Sequence, residues 1–499
     1  RCPCCLSRRL AAFPLAASAM QLSKSDKVKL AAVASSAVGV LWVLWRRASR
    51  NARLPPGSYG LPFLGEMLEW IRGPHEFIEK RLQKYGGTFK THVNLTPVVI
   101  LQPTPENLKK FYSVKGVGWP SHWNDVLGHS ALPMVNDPAH KQLRVMASRA
   151  FTQAQLDSYL PVLQDYTQEH LSKWAEGEEV GDMFMPIKVY TFDMAQRVIF
   201  GERFSEDTSR RCSKLFADAT KGLEIMLPYH YPGSPWTKSQ KARADLMQIY
   251  QQIIDKRRAA KAAGELSPKG NLIDAMLSGD GSEGGEPTDV ELQDQCFAMA
   301  FAGHDTTLAT IQDVLYYLKA MPGLEDRLRA EVDASWDGKA PITREIMQKV
   351  PQCRAFLLEV LQFLPPVAAA FRVSLEDMTF DGYTVPAGMT MAIGSGSVPR
   401  QFFGTAAQEF NIDRHIDVKG QYVERVYDTA SFGSFGGGSR MCIGYKFSMD
   451  ELTVFLLVLL RRFEFRSEPI GSVTFPFIHW KIKASFKERI PHASQSPGA

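Results

Sequence analysis

Ten residues near the C-terminus, Phe435-Gly436-Gly437-Gly438-Ser439-Arg440-Met441-Cys442-Ile443-Gly444, constrain this chain more than any other stretch. One cysteine sits in a glycine-rich loop, two residues after an arginine and two before a glycine. A helical pattern starts at once, from Tyr445 to Arg462, with Phe447, Leu452, Phe455, Leu456 and Leu459 apolar. A thiolate just ahead of a helix start is favoured by the helix dipole and by unpaired backbone N–H groups. Gly438 and Gly444 leave room for backbone to approach the sulfur, and Arg440 places a cation where a ligand's carboxylate could meet it. The plain alternative is a buried cysteine in a tight turn.

A second stretch asks for an explanation of its own. Thr288-Asp289-Val290-Glu291 is a capping-box pattern, and helical periodicity runs from there to about Met321, long for a globular helix. Its middle reads Ala302-Gly303-His304-Asp305-Thr306-Thr307. Glycine in mid-helix costs up to about 1 kcal/mol relative to alanine. Small residues there admit a flat cofactor and a diatomic ligand. An acid beside a hydroxyl can supply protons and loosen local helix bonds. The alternative is a helix kink carrying a surface acid. His304 is free either to face a substrate or to pack.

Both stretches resemble motifs of the cytochrome P-450 family. Phe435, Gly438, Arg440, Cys442 and Gly444 fill every fixed position of its Phe-x-x-Gly-x-Arg-x-Cys-x-Gly loop, and residues 302–307 fill its oxygen-activation motif. The resemblance covers about residues 54–490. It implies a mainly α fold with small β-sheets, one large helical domain, and haem b with Cys442 as axial thiolate to the iron. Thr306 would hydrogen-bond the bound dioxygen and Asp305 would serve the proton relay, with Ala302 and Gly303 close to the cofactor. His140 and Arg144, at i and i+4 on one helix face, and Arg372, closing Pro365–Val373, resemble the family's propionate-binding residues. Solvated basic side chains are the alternative for all three.

The pattern breaks at one place. Glu359-Val360-Leu361-Gln362 lies where the family has Glu-x-x-Arg, so Gln362 replaces an arginine. In the family that pair joins a downstream arginine, here Arg414 in Phe410–Arg414, in a buried ionic triad. Breaking such a network costs on the order of 3–5 kcal/mol unless neighbours compensate. Gln362 can still hydrogen-bond a carboxylate.

The chain has 499 residues and a net charge of +5, but residues 1–53 hold ten Lys or Arg and one acid, Asp26. That is +9 locally and −4 for the rest, so nucleic-acid binding is not indicated. Seven scattered cysteines suit a reducing compartment better than a disulfide framework. Residues 1–29 read as a leader, compatible with part of a transit peptide, although Met20 could equally be a start. Leu30–Trp45 is an apolar run followed by arginines and reads as a single membrane anchor, or as a cleaved targeting segment. A basic, then Pro/Gly-rich connector (46–65), the catalytic domain (66–490) and a tail (491–499) follow. These features place the domain on the cytosolic side of the endoplasmic reticulum membrane, with a plastid membrane as the alternative.

Phe89–Val93, Val98–Leu101, Tyr383–Pro386 and Met389–Ile393 read as short strands. Residues 152–265 read as helices broken at Pro228–Pro235, whose Tyr229, Tyr231 and Trp236 could touch membrane or substrate, or pack. No Gly-x-Gly-x-x-Gly appears in a strand–helix setting. The resemblance therefore implies electrons from NADPH through a separate cytochrome P-450 reductase or ferredoxin, docking near Lys141, Arg149 and Lys446. Similarity to sterol, triterpenoid, retinoid and cyanobacterial members implies an apolar isoprenoid substrate (carotenoids included), with Phe475, Phe477 and Trp480 lining its pocket. The implied activity is insertion of one oxygen atom from O2. The rivals are a haem-thiolate isomerase or dehydratase needing no electron donor, against which the Asp305–Thr306 pair argues, and a degenerate haem-binding protein, suggested by Gln362.

Overall fold

A computed structural model describes residues 54–489 apart from 62–63, 94–95, 178–180, 226–227, 267–270, 279–284 and 474–476. Its longer helices are α1 (Pro74–Tyr85), α2 (Pro105–Ser113), α3 (Ala139–Ser148), α4 (Gln153–Ala175), α5 (Phe184–Phe200), α6 (Glu206–Thr220), α7 (Pro235–Ala262), α8 (Asp289–Ala320), α9 (Leu324–Ser335), α10 (Pro351–Phe363) and α11 (Tyr445–Arg462). The strands are β1 (Phe89–Val93), β2 (Thr96–Ile100), β3 (Gly116–Val117), β4 (Gly181–Asp182), β5 (Ala369–Val373), β6 (Met378–Phe380), β7 (Tyr383–Val385), β8 (Thr390–Gly394), β9 (Phe463–Val473) and β10 (His479–Glu488). They form a sheet ordered β1-β2-β8-β5-β3, a second ordered β4-β10-β9, and the hairpin β6-β7. Only β2 and β8 run parallel within these sheets. The mainly helical class expected from the motifs is the one observed.

Helix α8 is the axis of the domain. Its start is fixed by the expected capping box: the Glu291 N–H donates to Thr288 Oγ1 at 3.2 Å, and the Thr288 N–H donates to Glu291 Oε2 at 2.8 Å. At 1.5 Å per residue its 32 residues span roughly 48 Å. The helix runs through two apolar cores. Leu292, Cys296, Phe297, Ala298 and Ala300 belong to one, built with α3, α5, α6 and α7. Leu308, Ile311, Val314 and Leu315 belong to the other, built with α4, α9, α10 and α11. Each such side chain removed from water contributes about 1.5–3 kcal/mol. Between Ala300 and Leu308 no α8 residue is a buried member of either core. The Ala-Gly-His-Asp-Thr-Thr stretch occupies this gap.

Differences from the sequence reading are local. Strand β2 starts at Thr96, so Thr96-Pro97 is strand and pairs with Val93 and His92. Pro97 is compatible with this because it lies at the strand's start, where a missing N–H is tolerated. The break between α6 and α7 is present; Trp236 is buried inside α7's first turn, whereas Tyr229 and Tyr231 are exposed. The connector docks early: the Lys90 N–H of β1 donates to Pro56 O at 2.8 Å. Residues 1–53, with the expected leader and apolar run, and 490–499 lie outside the described residues. Among the described residues no helix is long and apolar enough to cross a membrane.

Candidate active site

The loop 435–444 is held from both sides. The Cys442 N–H donates to Phe435 O at 2.9 Å, closing the loop on itself, and Arg144 Nη2 donates to Met441 O at 2.8 Å from α3. Gly438 has a φ of +67°, and a Cβ there would lie 2.2 Å from Tyr112 O. Its lack of a side chain is therefore required by the approach of α2, not by an approach to the sulfur. Gly444 is different again: a Cβ would meet only the Phe151 ring at 3.7 Å, an ordinary contact. What Gly444 offers is a backbone N–H bond to the sulfur. Burial pushes the Cys442 thiol up, and that bond and Arg144 only partly offset it. The helix start, expected to favour a thiolate, does not by itself overcome desolvation.

Cys442 opens onto a cavity of about 820 Å³. Phe435 and Gly444 line it beside the sulfur, and Ala302, Gly303, Asp305 and Thr306 line it from α8. Open space surrounds Gly303 where a side chain would stand. Ala368 and Ala369, at the start of β5, complete an apolar wall, and Phe477 packs its ring 5.8 Å from Phe301. Trp480, expected in the lining, instead stacks on Tyr316 at 4.3 Å, and Phe475 lies outside the described residues.

The acid and the hydroxyl of α8 are anchored differently. Thr306 Oγ1 donates to Ala302 O at 2.6 Å, one turn back. Asp305 Oδ1 is 2.9 Å from His304 Nδ1 and 3.9 Å from Lys188 Nζ. Burial acts to raise the Asp305 carboxyl, but His304, Lys188 and His479 outweigh it and hold the group below its ordinary value. His304 itself packs: it is fully buried between the rings of Phe192 and Phe216, with Nε2 3.1 Å from Lys188 O.

Arg440 within the loop, and Arg144, Arg372 and His140 beside it, stand outside the cavity wall. Arg440 donates to Lys115 O and Val135 O, each at 2.8 Å, and Arg372 Nη1 donates to Phe371 O at 2.8 Å. Burial, then Arg440, lowers Arg372 to about 10; burial, then Arg440 and Arg144, lowers His140 to about 4. The three arginines repel one another, and the acid that attracts Arg440, Asp137, is already paired with Lys115 at 3.1 Å and lies 3.5 Å from His140 Nδ1. Arg372 Nε is buried without a partner. A concentration of cations with too few anions, beside a cavity with a sulfur in its wall, fits a flat cofactor that carries two carboxylates. Haem is such a cofactor.

Glu359 and Arg414 meet as expected, Nε to Oε2 at 3.2 Å. Gln362 does not join them; its Oε1 is buried without a partner, and His415 Nε2 lies 2.9 Å from the same Glu359 oxygen. Position 415 was not singled out in the sequence, although a histidine directly after Arg414 was a readable signal. Glu451 was also missed. It is a buried acid in the cavity wall, pushed up to about 8 by burial against a hydrogen bond from Thr307. Its signal was the second acid of the pair Asp450-Glu451, immediately ahead of the apolar run of α11.

Residues 55–487 match the family described as Cytochrome P450. The chain is a cytochrome P450. The P450 is 27% identical to Cytochrome P450 26A1 of Gallus gallus, over 84% of this chain and 87% of that protein. It is 28% identical to the Beta-amyrin 28-monooxygenase of Solanum lycopersicum, over 85% and 90%. Among solved structures it matches Retinoic acid bound cyanobacterial CYP120A1 with a TM-score of 0.76 and 25% identity, covering 88% of this chain and all of that one. The P450 is thus an oxidoreductase of the haem monooxygenase type.

Proposed function

We propose that the chain is a haem-thiolate monooxygenase that inserts one oxygen atom from O2 into an apolar, isoprenoid-type substrate such as a sterol, triterpenoid, retinoid or carotenoid. The observation that carries this reading is the placement of the Cys442 sulfur and the Asp305–Thr306 pair in the wall of one apolar cavity. The names of the triterpenoid and retinoid relatives support the substrate class. When bound, haem supplies the oxygen-splitting chemistry that a thiolate ligand favours.

The chain's own residues prepare that chemistry. Cys442 would hold the haem iron, with the Gly444 N–H directed at its sulfur. Arg144, Arg372 and Arg440 would receive the two carboxylates, which would relieve the repulsion among them, with His140 as a further donor. Ala302 and Gly303 would leave room for the group beside α8. Thr306 holds its proton on Oγ1, now turned to Ala302 O, and Asp305, kept anionic by its neighbours, accepts and returns protons beside it. The apolar walls exclude water and hold the substrate. Electrons come from NADPH through a separate reductase or ferredoxin, by way of the face that carries exposed Lys141 and Lys446. The run 30–45 is assigned as an anchor in the endoplasmic reticulum or plastid membrane.

The test is the carbon monoxide difference spectrum of the reduced, purified protein. The long-wavelength Soret band of a thiolate-ligated haem is expected, together with a substrate-induced spin shift on titration with a panel of isoprenoids. A folded protein without haem would overturn the reading, and turnover of a lipid hydroperoxide in the absence of any reductase would replace it with the isomerase alternative.

A further inference from the structure

The departure at Gln362 is repaired by another residue. Glu359 is fully buried at the centre of α10, and its carboxylate needs partners for both oxygens. Oε1 accepts the Asn411 N–H at 2.8 Å. Oε2 accepts the His415 Nε2–H at 2.9 Å and lies 3.2 Å from Arg414 Nε in an ion pair, the Nε–H itself donating to Asn411 O at 3.1 Å. Two donors and one ion pair satisfy the group, and none comes from position 362. His415 is itself fully buried, and burial together with Arg425 and Arg414 outweighs the pull of Glu359, so the ring titrates below its ordinary value and donates as a neutral imidazole.

We propose that His415 is a positioning residue that substitutes for the missing family arginine, so that Glu359 holds the cysteine loop in place through one cation and one neutral donor. Glu–Arg–His carries no net charge, whereas a Glu–Arg–Arg set buries a surplus cation that must be desolvated. The connection to the loop is short. Ser434 Oγ, just ahead of Phe435, donates to Leu361 O of α10 at 2.5 Å, and the Val423 N–H donates to His415 O at 2.9 Å, tying down the segment that leads into the loop. Phe435 O in turn receives the Cys442 N–H. This inference uses the haem-thiolate reading only for its spectroscopic readout.

The experiment is a double-mutant cycle on the full chain with His415→Phe and Gln362→Arg, read by melting temperature, haem-to-protein ratio and the carbon monoxide spectrum. His415→Phe is expected to lower the melting temperature by roughly 1–3 °C, to lose haem and to move the Soret band to the shorter wavelength of a lost thiolate. Gln362→Arg alone is expected to destabilise, because Oε2 is already taken and the new cation is unpaired. In the His415→Phe background the same change is expected to restore melting temperature, haem and thiolate band, a reversal of sign that mere loss of packing would not produce. His415→Gln, which keeps a donor, is expected to stay close to native even where His415→Phe folds poorly. Equal effects of Gln362→Arg in both backgrounds, or a His415→Phe protein that matches the native one, would overturn the proposal. A native chain that lacks the thiolate band would refute the haem-thiolate reading alone, and the melting-temperature cycle would still decide this one.

Discussion

Gly436 and Gly438 share a φ of +67° but not their surroundings, and this makes a matched pair of perturbations. Alanine at either position pays for a left-handed backbone, about 1–2 kcal/mol. At Gly436 nothing lies within 4 Å of the new Cβ, so that is the whole expected cost. At Gly438 the Cβ falls 2.2 Å from Tyr112 O and 3.1 Å from its carbon, both backbone atoms. Ordinary contact requires the loop and the end of α2 to separate by about 1 Å, at a further cost of roughly 1–3 kcal/mol. Gly438→Ala is thus expected to cost about 2–5 kcal/mol and to melt roughly 1–3 °C below Gly436→Ala. The assay is thermal melting of both variants beside the native protein, with the haem-to-protein ratio as second readout, because the displaced loop carries Cys442. Equal melting temperatures for the two variants would refute the steric argument and leave only backbone conformation.

Thr306→Ala is expected to leave the melting temperature unchanged or slightly higher, since it removes a one-turn-back hydroxyl bond and adds the best helix former; measured NADPH consumption should then exceed product, and full coupling would remove the hydroxyl from proton delivery. Thr288→Ala breaks the capping box of α8 and should cost about 1 kcal/mol, read as a lower denaturation midpoint with catalysis intact. Glu451 carries a raised carboxyl, about 8 against an ordinary 4.5, so the folded state binds its proton across a window where the unfolded chain has released it. Its contribution to stability therefore falls as pH rises from 4.5 to 8 and is flat beyond. Glu451→Gln, which keeps the shape and a bond to Thr307, should flatten that decline and melt above the native protein at the alkaline end; unchanged pH curves would show that Glu451 is ionised when folded.

Elements whose signals are local were legible in the chain. The start of α8 follows from Thr288 and Glu291, and the junction between loop and α11 follows from Gly444 and the apolar spacing after Tyr445. The cavity's sulfur, hydroxyl and acid were found because motif residues adjoin one another in sequence. What was not legible depends on residues far apart. His415 gains meaning only because Glu359, 56 positions earlier, points at it. The reason for Gly438 is the carbonyl of Tyr112, and the Trp480 ring is drawn from the pocket by Tyr316. Burial was the other blind spot: a helix start argued for a thiolate at Cys442, and only the fold shows that desolvation by the surrounding protein opposes it.

The gap that α8 leaves between the two cores separates two kinds of selection. Ala302, Gly303, Asp305, Thr306 and Thr307 touch the cavity and belong to neither core, whereas Phe301 lines it and also packs against one of them. Ala368 and Ala369 face the same space from a different segment. A change of side chain at Ala302 reshapes the cavity at little expense to either core, whereas Ala368 and Ala369 also belong to a third apolar core, built with β1, β2 and β8. Within the gap the freedom is unequal: Ala302 faces the cavity, whereas Phe301 is packed on Phe477 and His304 is held by its two phenylalanines.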